Sequence, residues 1–157
     1  MVKTFPAVKK DYNALADFFS EIEHNPSSRE TWLNRFFFWW DNNPAFNENL
    51  KRGWVLKDNG KIVGFLGIIA TYFQLAKEKK LIFNGTTWVV AEKYRGQPSL
   101  DLMLAFIDYT KESMLFDITS TGYVSEIKEK LGFKKIYSKE GIRVYYLIID
   151  PQDILQN

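Results

Sequence analysis

"VVAEKYRGQPSLDLM", Val89 to Met103, decides how this chain is read. An apolar strand end gives way to a charged turn, then Arg95-Gly96, a proline and a run of leucines at helical spacing. A strand that delivers a helix N-terminus in this way can present unpaired backbone amides and the positive end of a helix dipole to a phosphate. Such turns usually carry several glycines, because side chains hold the anion off and the backbone needs positive φ. This turn has one, and Pro98 removes a donor where it stands. Gly96 keeps the tightest point open, and Gln97, Ser99 and Leu100 still carry amides. The Ser99 hydroxyl adds a donor, and Arg95 supplies charge to an anion or fixes the loop. The other reading of these residues is a capped helix after a strand, with Arg95 on the surface.

Composition limits the rest. The 157 residues suffice for one domain with a real core, and 1–157 reads as a single domain. No cysteine is present, which excludes a disulfide framework, thiolate zinc sites and a cysteine nucleophile. The one histidine, His24 in "EHNPSS", reads as a solvated loop residue, so no metal is expected. A formal charge of +2 leaves no nucleic-acid footprint, and "KEKK" at 77–80 reads as a solvated hairpin tip. The first residues lack a signal-peptide apolar region, and "IVGFLGIIATYF" is too short for a membrane span. A soluble, cytoplasmic protein is expected.

Period and punctuation give the element order. "TFPAV" is a predicted strand, and Asp11 is placed to cap a helix, "DYNALADFFSEIEH". Ser28 caps a second helix, "RETWLNRFFFWWD", which Asn43-Pro44 stops. Asp58-Asn59-Gly60 joins two strand-like runs as a hairpin. Asn84-Gly85 suggests a bulge or kink inside the next strand, "KLIFNGTTWVV". Pro98 is expected at the first position of a helix whose stripe is Leu100, Met103, Leu104 and Ile107, widened by Leu102 and Phe106. "MLFDIT" is a short strand. "STGYVSEIKEKLGF" is a helix with Val124, Ile127 and Leu131 inward and Gly132 at its C′ position. "KKIYSK" and "IRVYYLIID" make a last hairpin. The order β-α-α-β-β-β-α-β-α-β-β predicts a mixed α/β chain.

That order and two motifs resemble the GNAT acetyltransferase superfamily over nearly the whole chain. The family's first motif reads loosely Val-x-Pro-x-x-Arg-Gly-x-Gly-x-Gly, and here it is Val90-Ala91-Glu92-Lys93-Tyr94-Arg95-Gly96-Gln97-Pro98-Ser99-Leu100. Its strand-end proline is Glu92, and its later glycines are Pro98 and Leu100. The second motif, Tyr-Glu-Lys-Leu-Gly-Phe, is Lys128-Glu129-Lys130-Leu131-Gly132-Phe133, with lysine where the family has tyrosine. "FFWWDNNPAF" looks like the Trp-rich segment that forms a lip over the acceptor site in some members.

The resemblance implies a twisted sheet of about seven strands with four helices, and acetyl-CoA as acyl donor. It implies a pyrophosphate on Arg95, Gly96, Gln97, Ser99 and Leu100. The pantetheine arm would lie along the backbone of Trp88, Val89 and Val90, where the fourth and fifth strands splay apart. It implies transfer to an amine of a small molecule, with an amino sugar thinkable. Trp39, Trp40 and Phe46 would stack on that acceptor; covering the sheet edge or a homodimer interface is the equal alternative for these aromatics. Catalytic side chains are harder to place. No Asp or Glu stands between Leu81 and Ala91, and Glu92 falls by the cofactor turn. Asp41 and Glu48 flank the lip and could serve a base, although solvated surface charge is their ordinary role. Tyr123 is the nearest phenol to the missing acid, otherwise a half-buried packing residue, and Lys128 would be an exposed helix lysine unless desolvated. A non-catalytic acyl-CoA-binding or partner-binding module of the same fold is the second reading, and acylation of a protein amine the third.

Overall fold

In the computed structural model, which describes residues 1–22, 27–117 and 122–134, five strands form one sheet in the order β1-β2-β3-β4-β5. The strands are β1 (Val2–Pro6), β2 (Gly53–Asp58), β3 (Lys61–Leu75), β4 (Glu78–Val90) and β5 (Met114–Phe116). The first four pair antiparallel, and β5 lies parallel to β4. The helices are α1 (Tyr12–Ser20), α2 (Arg29–Phe36), α3 (Gln97–Thr110) and α4 (Gly122–Lys130). The expected last hairpin, which would carry the count to seven strands, lies outside the described residues, as does His24. The chain divides into two compact units, Met1–Thr119 and Ser120–Asn157.

Alternation along β2 sends its neighbours to opposite faces. Val55 joins Leu15, Phe19, Trp32, Phe36, Trp40 and Phe65 in a core under α1 and α2. Trp54 meets the rings of Phe106 and Tyr109 of α3 on the other face. The first unit is therefore a sheet between two helical layers. Asn59 and Gly60, with φ of 47° and 83°, make the expected tight hairpin.

Several local expectations shift. Asp11 does not cap α1. It accepts from the Val8 amide (3.1 Å) and pairs with Lys57 (2.8 Å), so it closes the turn ahead of the helix. Ser28 does cap α2, accepting from the Thr31 amide. The "KEKK" tip is displaced, since β4 begins at Glu78. On α3 the buried face is Leu102, Met103, Phe106 and Thr110, whereas Leu104 is exposed. The helix lies one position round from the predicted stripe, because its leucines run too continuously for period alone to choose a face. In the second unit α4 ends as predicted. Phe133 N–H donates to Lys128 O and Gly132 N–H to Glu129 O, with Gly132 at φ 95°.

The segment after α2 winds into a π-helical turn, Phe37–Asp41, and bonds to the edge of β3. Pairing of β2 with β3 stops at Gly67. Just beyond, the Trp40 indole N–H donates to Ile68 O (2.7 Å), and Asn43 Nδ2 donates to Ala70 O (2.9 Å). Side chains thus satisfy carbonyls that a strand would otherwise meet.

A polar knot ties that segment to α1 and β2. Arg52, only 5% exposed, grips both Glu48 carboxylate oxygens (2.8 and 3.1 Å) and donates to the Tyr12 hydroxyl (3.1 Å). Tyr12 donates to Asp41 (3.0 Å), which also pairs with Lys9 (2.8 Å). Burial pushes the Tyr12 phenol up to about 12 against the pull of Arg52. Burial also raises Asp41, but hydrogen bonds from Lys9 and Tyr12 outweigh it and hold the carboxyl below its ordinary range. Arg52 holds Glu48 low as well.

Two predictions follow from this packing. A Cβ on Gly53 (φ 128°) would lie 2.2 Å from Leu66 O and 2.7 Å from Gly67 Cα, whereas Gly60 faces open space. Gly53→Ala should cost roughly 3 kcal/mol or more in urea unfolding, and Gly60→Ala about 1 kcal/mol. The knot should shape stability against pH. Asp41 and Glu48 have depressed folded values, so their contribution is present above the carboxylate range and lost as pH falls below about 4. Tyr12 has a raised value, so its contribution holds below pH about 10 and is lost towards 12. Urea midpoints across pH should show both limbs, with Asp41→Asn flattening the acid one and Tyr12→Phe the alkaline one.

Candidate functional site

The decisive irregularity lies in β4. Phe65 pairs with Val89 and Gly67 with Thr86, so Thr87 and Trp88 together oppose the single residue Leu66. This is a β-bulge, and Thr87 takes φ of 51° within it. The expected bulge at Asn84-Gly85 is not there: both residues pair regularly, with Ile69 and Ile68. Gly85 serves packing instead, because a Cβ would come within 3.1 Å of the Phe106 ring.

The same strand loses a neighbour. Its parallel pairing with β5 runs from Ile82 to Asn84 and ends. From Gly85 to Val90, among the described residues, β4 pairs on its β3 side alone. Ala91 N–H donates to Val63 O (2.9 Å), so strand alternation turns the polar groups of Val89 toward β3 and those of Val90 toward the free edge. Of the three backbone positions expected along this edge, Trp88 lies in the bulge, Val90 faces outward, and Val89 is committed to the sheet.

The free edge leads into the Arg95-Gly96 turn. Glu92–Tyr94 forms a 3₁₀ turn, and Gly96 is the N-cap of α3 with φ of 99°. Open space surrounds Gly96, so the backbone conformation, and not a close approach, calls for glycine. Gln97 is the first helical residue, which puts Pro98 second and not first as predicted. The Leu100 amide, counted as available from sequence, donates to Gly96 O (3.1 Å). Helix geometry leaves the amides of Gln97 and Ser99 without an intrahelical acceptor, and among the described residues no side-chain cap meets the helix start. Two pins hold the turn. Tyr94 donates to Asp58 (2.8 Å), and Arg95 Nε to Val90 O (3.4 Å), leaving Arg95 exposed beside the helix start.

The aromatic segment divides into a core part and a surface part. Trp40 is 1% exposed and stacks on Phe36, so it cannot stack on an acceptor. It covers the sheet edge, which was the alternative reading. Trp39 is half-buried, and Phe46 lies half-buried with Arg52 4.7 Å over its ring. The exposed aromatics are Phe37 (47%) and Phe38 (63%), which sequence reasoning did not separate from their neighbours. A π-helical turn shifts the facing of each residue, and no local residue pattern announces it.

Candidate catalytic side chains are sparse. Glu48 is an exposed charge, as expected, that also pairs with Arg52, whereas the Asp41 carboxylate is largely covered within the knot; the depressed values of both make them poor bases near neutral pH. Glu92 is exposed in the 3₁₀ turn. Tyr123, in the second unit, is 74% exposed where half-burial was expected, and Lys128 is buried where exposure was expected. No cluster of metal-ligating side chains occurs among the described residues. No helix among them is long and apolar enough to cross a membrane. Two functional candidates were missed. Tyr94, before Arg95 in the motif stretch, bonds Asp58 of the distant β2–β3 hairpin, a partner no local pattern shows. The hydroxyls of Thr86 and Thr87, 3.1 Å apart at the bulge, carried no sequence signal because the bulge was placed elsewhere.

No family model and no curated protein matches the chain. Solved structures do. A predicted acetyltransferase with acetyl-CoA from Clostridium acetobutylicum shares 18% identity at a TM-score of 0.68, covering 92% of this chain and 96% of the other. Glucosamine-6-phosphate N-acetyltransferase from Arabidopsis thaliana shares 14% at 0.65, covering 93% and 99%. A transcriptional regulator from Bacillus halodurans C-125 shares 17% at 0.66, covering 93% and 100%. Identities this low speak for architecture alone: the chain has the fold of the GNAT acetyltransferases.

Proposed function

We propose that this protein is an acyl-CoA-dependent N-acyltransferase, moving acetyl from acetyl-CoA directly to the amine of a small molecule. One observation carries the reading. Among the described residues, β4 has no partner on its β5 side from Gly85 to Val90, and it leads through a pinned turn to a helix start without a side-chain cap. An extended amide-bearing arm can pair with such an edge as a strand would, and a pyrophosphate can accept from the helix amides.

The residues fit that ligand in part. Gln97 and Ser99 offer amides, Gly96 holds the turn open, Arg95 offers charge, and Val90 offers a polar edge. Pro98 leaves one donor fewer than a glycine would. Acetyl-CoA supplies an activated thioester. The chain supplies alignment along β4 and exclusion of water by the aromatic lip. A neutral amine is required, and β4 itself carries no Asp or Glu between Leu81 and Ala91 to deprotonate it. The acceptor is then either an amine already partly neutral at working pH or one served by water. The similarity to glucosamine-6-phosphate N-acetyltransferase makes amino sugars the first acceptors to try. Phe37 and Phe38, exposed in this segment, with half-buried Trp39 beside them, are the aromatics we assign to that contact.

The ion-paired state of Asp41 and Glu48 favours a second reading, a module that binds acyl-CoA without turnover. Calorimetric titration with acetyl-CoA and CoA tests the shared part. Micromolar binding is expected, and none at millimolar ligand would reject both readings. Thiol release on adding amino sugars and other amines then separates them, since binding without release selects the module. Pro98→Gly should restore a donor and tighten binding about three- to tenfold. Gly96→Ala, forced to positive φ, should weaken it.

A further inference from the structure

The geometry points to the Thr86–Thr87 hydroxyl pair as the group that grips the acyl carbonyl of the donor, and so sets a preference for an acyl thioester over free CoA. This rests on the acyl-CoA reading above and names residues for it. Thr87 stands at φ 51°, a conformation that a β-branched residue adopts only at a cost and that glycine or asparagine takes more easily. Strain of this kind gathers at functional sites. Here it lies at the bulge, within the Gly85–Val90 stretch that has no β5 partner among the described residues.

The two hydroxyl oxygens are 3.1 Å apart. The pair owns two protons, and one of them lies between the oxygens. The other remains to be donated, and it is polarised by the bond its own oxygen accepts. Thr86 also has a fixed position. A Cβ on Gly67 would meet its methyl at 2.8 Å and the Phe65 ring at 2.9 Å, so Thr86 lies on the face of the sheet that carries the aromatic lip. Gly85 lies on the opposite face, against Phe106. The Thr87 oxygen lies 3.1 Å from that of Thr86, so whichever hydroxyl keeps the spare proton holds it beside that face, the side where the proposed acceptor would approach. An uncharged donor suits a neutral carbonyl oxygen better than a phosphate, and no Asp or Glu between Leu81 and Ala91 competes for it.

The test is the ratio of CoA to acetyl-CoA dissociation constants, measured by calorimetry on the full chain. Wild type and Thr87→Ser, which keeps the hydroxyl, should favour acetyl-CoA. Thr87→Val and Thr86→Val, which keep the shape, should reduce that preference about three- to tenfold and leave CoA affinity unchanged. Thr87→Gly relieves the backbone and should bind CoA normally while losing the preference. Equal affinity for both ligands in wild type, or a ratio unmoved by the valine variants, overturns the inference and leaves the acyl-CoA reading standing. Failure of wild type to bind either ligand overturns both.

Discussion

One extra residue in β4 shapes everything around it. Where Thr87 and Trp88 share Leu66 as partner, the strand bends and its twist increases. The bulge falls within the Gly85–Val90 stretch, which among the described residues has no partner on its β5 side and leads into the turn before α3. The cost is a left-handed threonine, held in place by the β3 ladder on one side and by the pinned turn beyond.

The aromatic segment follows from a different constraint. Since β2 stops short, β3 continues with one edge exposed, and exposed edges invite pairing with other chains. Trp40 and Asn43 meet that edge with side-chain donors. The Arg52 knot holds the same segment from behind, joining α1, the π-helical turn and the start of β2. Charges that might have looked catalytic are structural ties.

Much of the fold was legible in the sequence because it rests on local chemistry. The Asn59-Gly60 hairpin, the Ser28 cap and the Gly132 terminus each come from residues with one good conformation in that place. The Arg95-Gly96 turn was legible for the same reason. What could not be read depends on partners distant in the chain. Gly85 looked like a bulge, but its reason is a ring on α3. The real bulge falls on a β-branched residue, where propensity argues against it. Leu100 seemed to offer an amide until the helix start was fixed one residue earlier. Trp40 seemed available until its indole was seen to serve a strand 28 residues later.

The lip and the bulge are both built on β3. Leu66 faces the bulge and Ile68 holds Trp40, two residues apart on one strand. A strand advances roughly 3.3 Å per residue and hardly stretches. β3 therefore acts as a ruler. The gap between the two sides is a fixed length of backbone, not the reach of a loop, and a molecule that bridges them must be cut to that measure.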